Sequence, residues 1–493
     1  MGWLTGWTYR KKITIDETKV DADLTNFPVL VKLTSTNFDF SKARSDGYDI
    51  RFTSSDGTTL LKYERERHQM YEYKKPTAFS DPNSRWTDES KAYDGDPGDE
   101  STYAYSTAGS ADQDPWLVFN TWQSKGGDYT ATTLYVKWKT NGTYSDDKFA
   151  IRYTKDGGTN WYDLVPLAVH NETSIQTSSV SLDSNQNLAN VQVKLVYDRI
   201  AGADTGITYI YDIWTRGTLD PASFCAEYWV KIPSVSGSAN TEFYIYYGKS
   251  DATDGADPTN VWDSDFKGVW HLKETGSATR LDSTANANNG TPYNGVAGVE
   301  GKIDGANDFE RDSSQYITIA RSASLEPTRI TMEAWVKAET LVSWERVFNK
   351  GIVGTYQGYS FLVGETNFLV QLYIGTSLQQ KQTAHGMSTG TFYYIAATYD
   401  GSAIRVYKDG SLLQEWTGLS GNLIHNTSEP LYLGRHPSAG EYLDAVADEC
   451  RISSVARTGP WIKASYHSGN DSLVSYGSEE TAYYGRTLGF IIG

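Results

Sequence analysis

The most distinctive chemistry in this sequence lies in an acidic stretch. The segment AYDGDPGDEST, residues 92–102, holds four acidic residues in eleven, and residues 88–114 hold eight acidic residues against one lysine. Carboxylates at this density repel one another unless a cation lies among them. Oxygen ligands grouped in one loop suit Ca²⁺, which takes roughly six to eight of them in a flexible geometry. We therefore expect a structural calcium ion here, and a solvated acidic turn is the alternative.

A second acidic stretch, EYLDAVADECRI at residues 441–452, is the best place to look for catalysis. Retaining glycosidases hold two carboxylates about 5 Å apart. Asp444, Asp448 and Glu449 lack the alternate spacing that would achieve this, and an extended strand would point Asp448 and Glu449 to opposite sides. The sequence also contains no H-E-x-x-H, Cys-x-x-Cys or phosphate-loop motif. These observations predict a protein that is not an enzyme, although a cryptic glycosidase stays open.

The histidines show no spacing typical of metal ligands, so each is predicted to be an ordinary core or surface residue. The seven are His68, His170, His271, His385, His425, His436 and His467.

Most of these residues must be positioned by β-strands. Polar and apolar residues alternate with period two in segments such as DIRFTSSDGTTLLKY and IRVYKDGSLLQEW, each with an Asp-Gly turn typical of a hairpin. Aromatic residues make up 13% of the chain and there are 44 glycines, which suits pleated sheets and tight turns. No stretch shows a sustained helical period. The predicted fold class is all-β, with three β-sandwich or jelly-roll domains.

Length and charge narrow the organisation and the partners. A chain of 493 residues is too long for one hydrophobic core. Its net charge of −17 argues against nucleic-acid binding, which needs a basic surface. No run approaches the ~18 apolar residues of a membrane span. The start, MGWLTGWTYRKK, lacks the pattern of a signal peptide, so we expect none in this chain.

Two separated parts of the sequence resemble one known module. The pieces are WTYRKKITID, DLTNFPVLVKL and ARSDGYDIRFTSSDGTTLLKYERE, with AEYWVKIPSVSGSANTEFYIYYGKSDATDGADPTNVWD further along. They are similar to an uncharacterised β-domain of bacterial, archaeal and viral surface proteins, whose halves are nearly contiguous in that family. The resemblance implies a discontinuous first domain, residues 1–66 and 222–263, that hosts an insertion at residues 67–221.

The region that follows resembles a laminin-G-like jelly roll of the concanavalin-A type. It spans residues 264–470 and contains FKGVWHLKE, LDSTANANNGT, RITMEAWVKAE, TFYYIAATYDGSAIRVYKDG and DECRISSVART. In relatives, the Asp/Asn loop lies near a calcium or ligand edge. The resemblance therefore implies a possible second metal or ligand edge at Asp282, Asn286 and Asn288, together with Asp448. A polar turn, and a strand-edge charge at Asp448, are the alternatives.

The insertion resembles the discoidin-like, galactose-binding type of jelly roll. In that family a loop of the pattern A-x-D-G-D-x-x-T binds calcium, and a carboxylate from the last strand closes the site. AYDGDPGDEST matches the loop, although about three residues longer, and YIYDIWTRG supplies the strand. The resemblance implies calcium ligands at Asp94, Asp96, Thr102 and Asp212.

Both types of jelly roll are common in lectins, and glycans bind to exposed aromatic rings beside polar groups. Five aromatic residues lie next to predicted turns and are candidates for glycan binding: Trp116, Trp161, Tyr356, Tyr359 and Tyr442. A core position is the alternative for each.

Residues 471–493 are predicted to form a C-terminal tail that ends in the apolar segment YYGRTLGFIIG. This segment would dock onto its own domain or onto a neighbouring chain, which makes an oligomer possible.

Together, these features predict a non-catalytic surface or virion protein, such as a decoration, fibre or adhesin component, located on a virion or an extracellular surface. Its partners would be a cell-surface or extracellular glycan, or neighbouring particle subunits. Two alternatives stay open: a glycoside hydrolase or lyase with a laminin-G accessory domain, and a purely structural assembly spacer.

Overall fold

The computed structural model describes residues 2–81, 84, 86–93, 98, 100–106, 117–122, 129–144, 147–184, 186–198, 206–342, 344–351, 357–437 and 441–482. Within these residues the chain consists of antiparallel β-sheets, one α-helix and short 3-10 turns, so the predicted all-β, multi-domain sandwich fold is confirmed. None of the helices in the described part is long and apolar enough to cross a membrane.

The N-terminal strands are β1 (Tyr9–Ile15), β2 (Leu24–Thr34), β3 (Arg51–Ser54) and β4 (Tyr63–Gln69). The next are β5 (Tyr71–Lys74), β6 (Pro76–Ser80), β7 (Trp86–Thr87), β8 (Ala104–Ser106), β9 (Leu117–Trp122), β10 (Tyr129–Thr140), β11 (Lys148–Thr154), β12 (Tyr162–Ala168), β13 (Gln176–Leu182), β14 (Gln192–Asp198) and β15 (Thr208–Leu219). Two further strands are β16 (Cys225–Val235) and β17 (Thr241–Tyr247).

The C-terminal half begins with β18 (Phe266–Trp270), β19 (Gly290–Tyr293), β20 (Ala297–Glu300), β21 (Gly305–Phe309), β22 (Tyr316–Ile319), β23 (Ile330–Ala338), β24 (Glu345–Lys350) and β25 (Tyr359–Val363). It continues with β26 (Asn367–Ile374), β27 (Ser377–Ala384), β28 (Phe392–Tyr399), β29 (Ile404–Lys408), β30 (Ser411–Trp416), β31 (Leu431–Leu433), β32 (Ala445–Ser453), α1 (Gly459–Gly469) and β33 (Val474–Thr481). The 3-10 turns are Glu17–Lys19, Phe40–Lys42, Glu89–Ala92, Leu188–Asn190, Pro221–Ser223, Pro258–Asn260 and Ala323–Leu325.

The chain divides into two compact units. The first comprises the described residues of Met1–Leu33, Asn37–His68 and Ala226–Gly493, and the second those of Thr34–Thr36 and Gln69–Cys225. In the second unit, which we call the insertion, the sheets β13-β10-β15-β8-β7 and β12-β11-β14-β9-β6 enclose a core that includes Trp86, Trp138 and Tyr197.

Within the first unit, the sheets β3-β17-β1-β33 and β2-β16-β4 form what we call the N-terminal module. Strand β33 comes from the segment predicted as a tail. It pairs antiparallel with β1, for example Ile15 with Val474, so the chain returns to its first strand. The apolar segment at residues 483–493 lies outside the described residues.

Two further sheets of the first unit lie within residues 264–470, the segment predicted to be a laminin-G-like domain, and we keep that name for them. One sheet has the order β20-β21-β32-β23-β28-β29-β30, with β18 also paired to β32, and the other has the order β19-β22-β31-β24-β25-β26-β27. Their facing sides enclose the core, which includes Trp270, Phe309 and Phe361. Helix α1 follows the sheets, with the Thr458 hydroxyl accepting a hydrogen bond from the Trp461 backbone N–H as its N-cap.

Candidate functional site

The predicted calcium ligands are only partly within the described residues. Asp94 and Asp96 lie outside them. Asp212 is fully buried on β15, and its Oδ1 lies 2.8 Å from Lys75 Nζ. Burial raises the pKa of Asp212, and the Lys75 ammonium opposes this effect. A lysine therefore faces this carboxylate, and the calcium ion stays a prediction.

Other parts of the predicted loop also contact a lysine or a backbone group. The Asp212 carboxylate accepts a hydrogen bond from the Gly98 backbone N–H. Lys137 pairs with Glu100 and donates to the Gly98 carbonyl at 2.8 Å. The half-buried Thr102 donates to a backbone carbonyl at 3.5 Å. The described end of the acidic segment is thus close to both Asp212 and a second lysine.

The Asp/Asn loop of the laminin-G-like domain forms a closed network of hydrogen bonds. The Asp282 carboxylate accepts from the backbone N–H groups of Val269, Thr284 and Asn288 at 2.8–3.0 Å. The amide groups of Asn286 and Asn288 donate to backbone carbonyls of β18. This arrangement fastens the loop to β18, and a metal or ligand role for these residues stays a prediction.

Asp448 is fully buried, and its Oδ2 accepts from the backbone N–H groups of Lys302 and Ile303 at 2.8 and 2.9 Å. The expectation that Asp448 and Glu449 point to opposite sides is wrong. Glu449 has a φ of 51° at a β-bulge, while Ala447 and Cys450 both face the core. The extra residue places Asp448 and Glu449 on the same side, away from the core.

The predicted glycan-binding aromatics are scattered in the structure. Trp116 and Tyr356 lie outside the described residues. Trp161 is half-buried, with Lys194 Nζ 5.7 Å from its ring centroid. The Tyr442 ring is half-buried beside Tyr316, at a centroid distance of 6.4 Å. None of these contacts assigns a ligand.

Tyr359 is the predicted aromatic that lines a cavity. The cavity measures about 230 Å³ and lies over β24–β27. The Tyr359 ring itself belongs to the core, and its hydroxyl donates to a backbone carbonyl at 3.2 Å.

The floor of this cavity is a row of polar side chains on paired strands. Asn349 pairs with Ser360, Ser360 with Gln371, and Gln371 with Gln380. Directly paired residues share one face of a sheet. Residues at the alternate positions, such as Phe361 and Val370, face the core. The row therefore presents hydroxyl and amide groups on the side of the sheet away from the core.

Trp344 forms the rim of the cavity and is 48% exposed. It also lines a neighbouring cavity of about 210 Å³, whose other residues include Leu362, Leu369 and Gln382. These three form the next row of directly paired positions across β25–β27. We call the two cavities together the Trp344 groove. An exposed indole beside amide groups is a platform on which a sugar ring can stack.

Arg346 fixes the polar row in place. Its Nε and Nη2 donate to Glu441 Oε2 at 2.7 Å, and its Nη1 donates to Asn349, Ser360 and Gln371 at 2.8–3.0 Å. Burial lowers the pKa of Arg346 and the Glu441 carboxylate opposes this effect. With its charge balanced by Glu441, Arg346 serves to orient the neighbouring amides.

The other basic groups of the groove are also compensated or neutral. Lys350 Nζ donates to the Glu429 carbonyl at 2.8 Å and lies 3.3 Å from Glu326. Burial lowers the pKa of His436, which favours its neutral form. Among the described residues that line the larger cavity, the carboxylate is Glu441, already held by Arg346. The larger cavity is therefore suited to an uncharged ligand rich in hydroxyl groups, and the smaller one adds the exposed carboxylate of Glu365.

A serine motif elsewhere in the domain does not form a nucleophile site. Gly386–Gly390 fits the pattern G-x-S-x-G, but it joins the antiparallel strands β27 and β28, whereas a nucleophile elbow joins a strand to a helix. The Ser388 hydroxyl pairs with the Tyr393 hydroxyl at 3.0 Å.

Sequence reasoning named Tyr359 but missed Trp344, Arg346 and the polar row. The sequence does contain a signal for the polar row, because single polar residues interrupt otherwise apolar strands, as Ser360 does in YSFLV and Gln371 in LVQLY. What the sequence does not show is that these positions are paired across neighbouring strands.

Two parts of the chain match family models. Residues 311–463 match the concanavalin A-like lectin/glucanases superfamily, and residues 199–273 match a domain of unknown function, DUF2341. No curated protein matches the chain.

Solved structures to which the chain shows similarity include the binding domain of Paraclostridial Mosquitocidal Protein 1, with 14% identity and a TM-score of 0.36 over 41% of this chain and 52% of that one. Domain 4 of AbnA, an extracellular arabinanase from Geobacillus stearothermophilus, was solved with arabinotriose. It has 18% identity and a TM-score of 0.34, and the match covers 42% of this chain and 98% of that one. The receptor binding domain of botulinum neurotoxin mosaic serotype C/D has 12% identity and a TM-score of 0.32, and the match covers 41% of this chain and 51% of that one. The chain thus spans about half of each toxin domain. The prediction of an uncharacterised β-domain followed by a laminin-G-like, concanavalin A-type domain is confirmed by the two family matches.

Proposed function

We propose that this protein is a non-catalytic component of a cell surface or virion, and that its laminin-G-like domain binds an uncharged glycan in the Trp344 groove. The observation that carries the proposal is the exposed Trp344 ring beside the row from Asn349 to Gln380. Stacking on the indole would bury the apolar face of a sugar, while the amides would bind its hydroxyl groups.

Three features of the groove support this ligand class. Arg346 is already paired with Glu441, so an acidic sugar would have to displace that carboxylate. The side chains of Asn349 and Gln371 are held by Arg346, which lowers the entropy lost on binding. The two cavities on either side of Trp344 offer room for neighbouring sugar residues of one oligosaccharide.

The test is a glycan array on the full chain, followed by calorimetry with the sugar that binds. We expect Trp344→Ala to weaken binding by about 10- to 100-fold, which corresponds to about 1–3 kcal/mol. Leu412→Ala is the control, because Leu412 is 51% exposed on β30 of the other sheet. Equal affinity of the two variants would place the glycan elsewhere, and silence of the wild type on the array would favour the assembly-spacer alternative.

Location and self-association need their own measurements. A virion or surface location is tested by mass spectrometry of purified particles and of surface-shaved cells. An oligomer formed through the apolar tail is tested by light scattering on the full chain and on a chain that ends at residue 482.

We also propose that the insertion binds a structural Ca²⁺ through Asp94, Asp96, Thr102 and Asp212. The closeness of Gly98 to Asp212 supports the predicted closing of the loop onto β15. Calorimetric titration with Ca²⁺ tests it, with Asp94→Asn as the variant expected to lose the binding.

A further inference from the structure

A cluster of buried ionisable groups lies where the N-terminal module meets the laminin-G-like domain. Glu64 and Glu66 come from β4, two residues apart and therefore on one face of the strand. His271 directly follows β18. All three side chains are at most 9% exposed. His271 Nε2 lies 3.3 Å from Glu64 Oε2 and 3.4 Å from Glu66 Oε2.

Several atoms of this cluster are left without hydrogen bonds. Neither His271 Nε2 nor either carboxylate oxygen of Glu66 has a hydrogen-bond partner, although all are buried. Glu66 Oε1 has an ion-pair contact with Lys273 Nζ at 3.1 Å, whereas its Oε2 faces His271. Burying polar atoms without partners is costly. Glu66 Oε2 and His271 Nε2 therefore face each other without a hydrogen bond, which leaves a place for a shared ligand between them.

The distances fit a tetrahedral metal ion. With metal–ligand bonds of about 2.0–2.1 Å, two ligands of such an ion lie about 3.3–3.4 Å apart. One imidazole nitrogen and two carboxylate oxygens are ligands that zinc and other first-row divalent ions accept. Calcium fits less well, because it needs more ligands, nearly all of them oxygen, at longer distances.

The groups around the cluster orient its ligands as metal sites require. His271 Nδ1 lies 2.7 Å from Glu449 Oε1, and when Nδ1 donates to that carboxylate, Nε2 is the ring nitrogen available to a metal. Glu64 accepts from the Trp262 indole at 2.8 Å and from the Ser283 hydroxyl at 2.7 Å. A carboxylate–histidine pair of this kind is typical of zinc ligation.

The charge balance also favours a divalent cation. Five carboxyl groups lie in or next to the cluster, namely Glu64, Glu66, Glu333, Asp448 and Glu449, and the cations beside them are Lys273 and Arg451. Arg451 is sandwiched between Trp229 and Trp262, with its Cζ 4.4 and 4.8 Å from their ring centroids. Each proton that the cluster takes up neutralises one charge, whereas a divalent ion neutralises two.

We propose that Glu64, Glu66 and His271 form a buried structural site for zinc or a related first-row divalent metal. Its ligands come from both parts of the first unit, so the ion ties the N-terminal module to the laminin-G-like domain. The β-bulge at Glu449 serves the same site, because it turns that carboxylate toward His271 Nδ1.

The test uses the full chain, stripped with a chelator and kept in excess Ca²⁺ so that the predicted calcium site is filled. We expect one Zn²⁺ per chain by mass spectrometry after competition with a chromophoric chelator, and a rise in melting temperature when zinc is added. Glu66→Gln and His271→Ala should lower zinc affinity at least 100-fold, and His271→Cys, which keeps a zinc ligand, should recover it. Glu345→Gln, a buried carboxylate of the same domain, should bind zinc normally.

Zinc that binds weakly and equally to wild type and variants would overturn the proposal, as would a melting temperature that does not respond to the metal. Should the variants fail to fold, X-ray absorption on the zinc-loaded wild type decides the question. A shell of nitrogen and oxygen with one imidazole supports the site, and a shell of several imidazoles indicates scattered surface binding and overturns it.

Discussion

The chain has two carboxylate-rich regions, and they are built in different ways. In the insertion, the acidic stretch consists of neighbours in sequence; its Glu100 meets Lys137, while Asp212, from the distant strand β15, meets Lys75. In the His271 cluster, the carboxylates come from β4 and β32, hundreds of residues apart, and converge on one imidazole. The first region is conspicuous in the sequence, whereas the second becomes visible only when the strands are assembled.

The two regions also differ in how burial is compensated. Burial raises the pKa of Glu449, but in the metal-free chain a protonated His271 and Arg451 outweigh burial and lower it to about 2. Burial raises the pKa of Asp212, and the ammonium group of Lys75 beside it does not outweigh this effect. A buried carboxylate stabilises a fold only when its partners outweigh the cost of removing it from water. The His271 cluster is therefore expected to matter more for stability than the acidic loop.

The largest effect is expected from Glu449→Ala. It leaves Arg451 and His271 buried without their shared partner, and we expect a loss of about 3–5 kcal/mol in the free energy of unfolding. Urea denaturation followed by tryptophan fluorescence measures it. The control is Glu242→Ala, which removes an exposed ion pair with Lys12 and should change little. Equal losses in both variants would mean that the cluster has no special structural role.

Lys75→Met should have the next largest effect, because it leaves Asp212 buried without a cation. We expect a loss of about 2–3 kcal/mol when calcium is chelated. If Ca²⁺ can occupy the same place, adding it should restore part of this stability. A variant that stays equally unstable with and without calcium would show that Lys75 is the cation at Asp212 and that calcium does not bind there.

The comparison shows what could be predicted from the sequence. Period-two alternation and Asp-Gly turns were sufficient for the all-β fold, because both depend on neighbouring residues. The loop near Asp282 could be recognised as special but not as a closed hydrogen-bond network, since its acceptors lie on β18. His271 was predicted to be ordinary, because Glu64 and Glu66 lie about 200 residues away in sequence.

The β-bulge at Glu449 was beyond prediction for a different reason. Alternation places successive side chains on opposite faces only while a strand stays regular. One inserted residue with a left-handed backbone changes which face each later side chain occupies. No property of Glu449 itself marks it for that conformation, so the error about Asp448 and Glu449 follows from the rule of alternation.

Glu345, in the laminin-G-like domain, is a buried carboxylate whose neighbouring cation does not outweigh the effect of burial. It is buried and meets Arg311, yet burial dominates and raises its pKa from 4.5 to about 8. An acid with a raised pKa in the folded state binds its proton more tightly when folded. The favourable contribution of Glu345 to the free energy of unfolding is therefore present below about pH 4.5 and is lost as the pH rises to about 8.

Glu345→Gln should remove that pH dependence. We expect the variant to be more stable than the wild type at pH 8 by about 1–2 kcal/mol and no more stable at pH 4. Thermal unfolding at a series of pH values measures the difference. A wild type whose stability does not fall between pH 4.5 and 8 would mean that Arg311 compensates Glu345 fully, as Arg451 does for Glu449.

The smallest effect is expected at the acidic loop. A site of moderate calcium affinity, in millimolar Ca²⁺, adds about 1 kcal/mol to the free energy of unfolding. Asp94→Asn should remove this gain and leave the stability in chelator unchanged, because the ion and not the carboxylate supplies it. Asp163→Asn, on an exposed ion pair of the same insertion, is the matched control and should keep the calcium response. A wild type that does not respond to calcium would make the acidic stretch a solvated turn, and the contrast between the two carboxylate-rich regions would then be one between a surface loop and a buried site.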